Sequence, residues 1–347
     1  MPCGERCTGL SDATWRCCGT RGGLYDRAQW VKQGLLPRQG CFRVRIVADS
    51  DQRTIATAQS CAAALAPGCS PVIEHRPQDQ TDPLFSPIDE GAVRLDAQAA
   101  RAAVLAAAGS GGILGEEAAL RPQLARLDAI LCGQSTSTCG VGRQPSDLAP
   151  LAAGKRPKLT GALDRASTAA QILLLEYADG KPMSEVGWGR ATAADVESLS
   201  AFHATEFRLL ARPRPIGKAN LALLAPLIAA ALTDVDAAPV TMISGHDTNV
   251  ASFGGLMGVH WHVPGLASDD PSPGGALMIQ RLSDTAGRLY FRVLYRSQTV
   301  EQIRTLTPLD RATPYSAVLE MPGCRARGRS GLCSQAAMLD LLSGDAR

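Results

Sequence analysis

Aromatic residues make up only 4% of this 347-residue chain, and neither sign of charge is in real excess. Lys and Arg total 35 against 33 Asp and Glu, a formal net charge of +2, so no broad basic field exists to attract nucleic acid. The aromatic signature of an RNA-recognition motif is also missing, and nucleic acid is not an expected partner. No apolar run reaches the ~18 residues that a bilayer-spanning helix needs, so no membrane segment is expected. Cys-x-x-Cys does not occur, and the five His are not spaced as ligands near the cysteines, which argues against structural zinc. Met1-Pro-Cys-Gly-Glu-Arg-Cys7 lacks a basic start followed by an apolar segment, so no secretory signal is read. No internal repeat or low-complexity tract is visible.

Cysteine, by contrast, is plentiful, with eleven in the chain. Cys41 and Cys69 flank one strand–helix unit, while Cys132/Cys139 and Cys324/Cys333 each close a short polar loop. Loops with a cysteine at each end look like disulfide staples, which implies an oxidising compartment. That implication conflicts with the absence of a secretory signal. Either the mature chain is the one given, or the start of the gene product is not what it should be.

Met1 to Gly23 shows no helical or strand period and carries Cys3, Cys7, Cys17 and Cys18 among scattered Gly, Arg and Trp. The adjacent Cys17-Cys18 fits no standard ligand spacing. From Leu24 the chain becomes orderly. Tyr25, Trp30 and Val31 predict a helix ended by Gly34-Leu-Leu-Pro37. Phe42 to Ala48 predicts a strand, and Asp49-Ser-Asp51 caps a helix that runs to about Leu65. A short strand, Pro71 to Glu74, precedes a Pro- and Asp-rich loop.

Helices are then expected from Asp96 to Ala108, along Leu120, Leu124, Leu127 and Leu131, from Ala162 to Tyr177, and from Ala194 to Ala211. Another should cover Asn220 to Leu232, kinked at Pro226. Ala276–Leu282 and Leu289–Tyr295 pair as a hairpin around Gly287. Strands at both ends with helices between them predict an α/β domain interrupted by a helical insertion.

The chemistry concentrates at Val240-Thr-Met-Ile-Ser-Gly-His-Asp-Thr-Asn249, an apolar strand running into a polar loop and then a helix. Such a loop lies at the carboxyl edge of a sheet, where open α/β folds bind ligands, and a helix amino end favours anions. Arg53 follows an earlier strand in the same layout, and its rigid fork of donors suits phosphate oxygens. His246 can donate to those oxygens, and Asp247 can protonate a leaving alkoxide if its carboxyl is still neutral when phosphate is bound. A helix amino end lowers that carboxyl's pKa and a nearby phosphate dianion raises it, so activity is expected at acidic pH. The plainer readings are a surface cation for Arg53 and a helix cap for the polar cluster. His203, on an apolar helix face, reads as a satisfied interior histidine; His75, His260 and His262 signal nothing specific.

Taken together, these segments resemble the bacterial histidine acid phosphatases, which include periplasmic phytases and glucose-1-phosphatases. Ser244-Gly-His-Asp-Thr-Asn249 resembles the family's proton-donor motif. In the same order, Gly34-Leu-Leu-Pro-Arg-Gln-Gly-Cys41, Ala48-Asp-Ser-Asp-Gln-Arg-Thr54, Asp82-Pro-Leu-Phe85, Gly187-Trp-Gly-Arg190, Pro273-Gly-Gly275 and the Cys324/Cys333 loop resemble family segments. The resemblance implies a three-layer, phosphoglycerate mutase-like α/β domain. Its core would comprise residues 24–91 and 215–347, with a helical domain, 92–214, inserted between them.

It further implies Asp247 as general acid, Arg53, His246 and Thr248 on the phosphate, and Asp49, Met183 and Glu185 near the rest of the substrate. The three cysteine pairs match family disulfides, and a fourth found in some relatives is absent at both ends, since Ala92 and Val93 stand near one of its positions. Phosphomonoester hydrolysis is implied, with phytate or a sugar phosphate as substrate, a periplasmic setting, and neither metal nor other cofactor.

One departure is large. The family's Arg-His-Gly-x-Arg-x-Pro segment supplies the nucleophilic histidine and two phosphate-holding arginines, yet no Arg-His pair occurs in this sequence. His75-Arg-Pro77, downstream of Arg53, is no substitute. Residues 1–23 have the make-up of a wrong start or a shifted reading frame. The expectations are a missing first strand, open sheet edges, and little or no turnover. The alternatives are a non-catalytic phosphate- or sugar-phosphate-binding protein, a damaged gene product, and, less favoured, a zinc module at Cys3 to Cys18.

Overall fold

The computed structural model describes residues 12–78, 80–134, 139–150, 154–310 and 313–344, with residues 12–18 as backbone only. The Cys3–Cys18 cluster lies outside what is described of side chains. Helix α1 spans Asp12–Lys32, beginning well before the Leu24 start read from periodicity. The period is absent because α1 is held by close contact with its neighbour rather than by an amphipathic stripe. A Cβ on Gly19 would lie 2.7 Å from the Thr57 carbonyl oxygen, and one on Gly23 would lie 2.9 Å from Ala64 Cβ. Glycines four apart therefore let α1 lie flat on α2.

Strand β1 (Val44–Ala48) leads into α2 (Gln52–Leu65) and then into β2 (Ile73–Glu74). Ile46 and Ala48 on one face and Val47 on the other are all buried, as expected for a parallel strand covered on both faces. The helical body follows as α3 (Ala97–Ala108), α4 (Gly112–Ala119), α5 (Arg121–Cys132), the short hairpin β3 (Asp147–Leu148) and β4 (Leu159–Thr160), α6 (Ala162–Ala178) and α7 (Ala193–Leu210). Asp96 caps α3 as expected, accepting from the Ala99 amide at 2.9 Å. Leu127, Ile130, Ala166, Leu199 and Phe202 are at most 1% exposed, and their apolar cluster continues without a break to Phe253, Val293 and Tyr295.

Next come α8 (Arg214–Asn220) and α9 (Leu224–Thr233), bent by 76° from each other. The break falls at residues 221–223 rather than at Pro226, which sits in the first turn of α9. There a helix amide has no carbonyl to bond in any case, so proline is tolerated.

The chain then forms β5 (Val240–Ser244), α10 (Asp247–Met257), β6 (Ala276–Ser283), β7 (Leu289–Ser297), α11 (Val300–Arg304), β8 (Tyr315–Leu319), β9 (Cys333–Ser334) and α12 (Gln335–Ser343). β1 is the middle of a parallel sheet in the order β2-β1-β5, with Ile46 opposite Ile73 and Met242. A second, antiparallel sheet runs β6-β7-β8, with β9 also on β7. Among the described residues, β5 and β6 each lack a partner on one side. Their apolar residues Met242, Ile243, Leu277 and Ile279 are only half-buried, in contrast to Ile46. Disulfides Cys41–Cys69, Cys132–Cys139 and Cys324–Cys333 form, with Cα separations of 5.8, 5.6 and 4.6 Å.

Candidate active site

Parallel pairing sends β1 and β5 out of the sheet at the same edge, with Ala48 opposite Ser244. The loops that follow are joined by three further bonds. The Asp49 amide donates to the Ser244 carbonyl at 2.9 Å, the Thr54 hydroxyl to the Asp49 carbonyl at 2.7 Å, and the Ser244 hydroxyl to the Thr54 carbonyl at 2.9 Å. Residues far apart in sequence are thereby brought together at the carboxyl edge, where a parallel sheet presents its ligand site.

His246 is at the centre. Its Nε2 lies 2.5 Å from Asp49 Oδ2 and its Nδ1 lies 3.0 Å from Arg53 Nη2. A guanidinium can only donate, so Nδ1 accepts and the ring proton sits on Nε2, donated to Asp49. Asp49 is buried, which alone would raise its pKa. The hydrogen bond from His246 and two from Ser50 outweigh burial and hold the carboxyl below its ordinary range. Arg53 also pairs with Asp51 at 2.8 Å.

Asp247 opens α10 with its side chain about half exposed. Its Oδ1 accepts from the Thr248 amide at 2.7 Å, and its Oδ2 lies 3.7 Å from His203 Nε2. Asn249 braces the loop from beneath: its Oδ1 takes the His246 amide and its amide group donates to the Phe85 carbonyl, both at 2.9 Å. Gly245 is required here, because a Cβ would lie 2.8 Å from Asn249 Oδ1 and 2.9 Å from the Phe85 ring.

These groups line a cavity of about 430 Å³. Six carboxylates border it (Asp49, Asp51, Asp82, Asp89, Glu90 and Asp247), and among the described residues Arg53 and Arg156 are its full cations. Arg156 is ion-paired to Asp89. An anion entering this cavity must therefore displace existing partners of Arg53 and His246, and protonation of the carboxylates favours its entry.

The chain is 33% identical over 350 residues to Phytase AppA of Escherichia coli (strain K12), an alignment covering 92% of this chain and 79% of that protein. The chain belongs to the histidine acid phosphatase family. It is also 29% identical to the glucose-1-phosphatase of Providencia rettgeri, over 90% of this chain and 77% of that one. The apo structure of Hafnia alvei phytase superposes with a TM-score of 0.86 at 33% identity, covering 99% of this chain and 89% of the phytase. That phytase has also been solved in complex with myo-inositol hexakis sulphate. No family model matches the chain.

For this phosphatase homologue, the structure brings Arg53, Asp49, His246, Asp247 and Thr248 to one cavity. Met183 is elsewhere, lining a hollow of about 530 Å³ with Tyr177, Thr192, Glu301 and Arg304, and Glu185 is exposed and lines neither space. The helix-cap reading of the polar cluster holds for Asn249, whose side chain takes the His246 amide at the start of α10, whereas Arg156 carried no signal in the sequence. His203 is buried and satisfied by Asp270, as its apolar helix face suggested, but its second nitrogen faces Asp247.

Proposed function

We propose that the cavity between β1 and β5 is a phosphomonoester site in which Arg53, His246 and Thr248 hold the phosphate and Asp247 is the general acid. The observation that carries this reading is the convergence of His246 with Asp49 and Arg53 at 2.5 and 3.0 Å, with Asp247 next in the chain. An entering phosphate takes Nε2–H of His246 from Asp49 and one edge of the Arg53 fork from Asp51. Both are charge-assisted bonds of the kind phosphate forms well. Asp247 then faces the ester oxygen, placed to give it a proton if a nucleophile were to attack phosphorus and break that P–O bond. Phytate and sugar phosphates are the proposed ligands, because relatives named phytase and glucose-1-phosphatase match most of the chain.

Attack on phosphorus needs a nucleophile, and no Arg-His pair exists among the 347 residues to supply one in the family's way. The 347-residue polypeptide is therefore proposed to bind phosphate esters with little or no turnover. We place it in the periplasm, given three disulfides and the family, and regard residues 92–214 as a helical insertion. The test is hydrolysis of a chromogenic phosphate ester at acidic pH by this polypeptide, beside calorimetric titration with inorganic phosphate. Binding at acidic pH without turnover is the expected result. Robust turnover abolished by Asp247→Asn would sink the inactive reading, and no phosphate binding at any pH would sink the site itself.

A further inference from the structure

Behind Asp247 the interior holds an ionisable pair that phosphate binding does not use. His203, on α7, is buried, and its Nδ1 lies 2.6 Å from Asp270 Oδ1. Asp270 is fully enclosed, and its other oxygen has no hydrogen-bond partner among the described groups. Burial pushes the Asp270 carboxyl up, with the Asp247 charge adding, and the hydrogen bond and charge of His203 oppose this. The Asp270 backbone is fixed in turn, its carbonyl accepting from Trp261 Nε1 at 3.0 Å. Phe207 lies edge-on to the imidazole, with ring centres 4.3 Å apart, and sets the plane of the ring.

With Nδ1 committed to Asp270, the remaining nitrogen points at the pocket's acid, 3.7 Å from Asp247 Oδ2. Asp247 Oδ1 is held by the Thr248 amide, and its Oδ2 faces the imidazole at ion-pair rather than hydrogen-bond distance. An isolated core histidine would need no such second neighbour.

The surrounding charges agree with this geometry. Burial by itself disfavours a charged His203. The Asp270 hydrogen bond, with the charges of Asp270, Asp247 and Glu206, more than offsets it, so the proton is held more tightly than usual. Glu206, one turn along α7, has its own pKa raised, chiefly by burial, with Asp164 and Asp247 adding and Ser167 and His203 opposing. Asp270 from the loop before β6, Asp247 from α10, and Glu206 backed by Asp164 and Ser167 of α6 are the groups that bear on His203.

We infer that His203, braced by Asp270, is a positioning residue that orients the Asp247 carboxyl toward the pocket. This deepens the phosphomonoester reading and depends on it only for what occupies the pocket, since the His203–Asp247 coupling exists in the empty protein.

The test is an NMR titration of His203 in the full chain, followed by its ring carbon and nitrogen shifts, in wild type and in Asp247→Asn. Asp247 is half exposed, so this variant is expected to keep its fold. Coupling predicts that the His203 midpoint falls by roughly half to one pH unit when the Asp247 charge is removed, as for opposite charges ~4 Å apart at a partly wet site. Asp270→Asn should lower it further. A His203 midpoint that ignores Asp247→Asn would overturn the inference and leave the pair as core packing. Should phosphate fail to bind, the phosphomonoester reading falls, while the phosphate-free comparison still decides the coupling.

Discussion

Replacing Asp26 with Asn probes how firmly α1 belongs to the fold. Asp26 meets Arg296 of β7 through two contacts, Nε to Oδ1 at 3.1 Å and Nη2 to Oδ2 at 2.5 Å. Both residues are nearly enclosed, at 5% and 6% exposed. Among the described residues, Arg296 reaches beyond Asp26 only to the Gly274 carbonyl, at 3.3 Å, while Gly22 closes over the guanidinium so tightly that a Cβ would lie 2.9 Å from Nη1. Water has little room to replace the lost carboxylate, so Asp26→Asn leaves a buried cation almost unpaired. Breaking such a pair from one side costs about 3–5 kcal/mol.

Unfolding entropy of ~2 cal/mol/K per residue turns that cost into a fall of roughly 4–7 °C in melting temperature for a chain of this length. Differential scanning calorimetry on purified wild type and Asp26→Asn measures it directly. The double variant Asp26→Leu with Arg296→Met should recover much of the loss, because removing both charges removes the desolvation penalty. A melting temperature within about 1 °C of wild type in Asp26→Asn would refute the reasoning, and with it the view that α1 is integral to the molecule.

Two more predictions concern stability. Cys41→Ser with Cys69→Ser opens a loop with a sequence separation of 28 and should cost about 3–4 kcal/mol, more than loss of either shorter disulfide, as read by urea denaturation. Stability should also peak at mildly acidic pH. Asp49's lowered pKa contributes stability present above its unfolded value of ~3.9 and lost as pH falls through the folded one, whereas His203's raised pKa contributes stability present below ~6.5 and lost as pH rises through its folded value. Thermal melts across that range should show the alkaline decline flattened in His203→Gln, and an unchanged decline would contradict the assignment.

The sequence by itself determined what local chemistry can specify. The apolar run Val240–Ile243 ending at Ser244-Gly245, the Asp96 and Gly109 boundaries of α3, the hairpin around Gly287 and the three cysteine pairs each carry their signal within a few residues, and each formed as read. Arg53, His246 and Asp247 were legible because a strand–loop–helix layout repeats around them. Only the tertiary structure decided the rest. α1 begins at Asp12 because Gly19 and Gly23 fit against α2, a surface that no helical period can reveal. Pro226 tolerates its helix because the chain turns before it, at residues 221–223, and proline in a first turn loses no bond. His203 and Asp270 meet across 67 residues of sequence, and their alignment with Asp247 is a product of packing between α7 and α10. Periodicity reports which face of an element is buried; which buried polar groups then touch depends on how the elements cross, and that is decided in three dimensions.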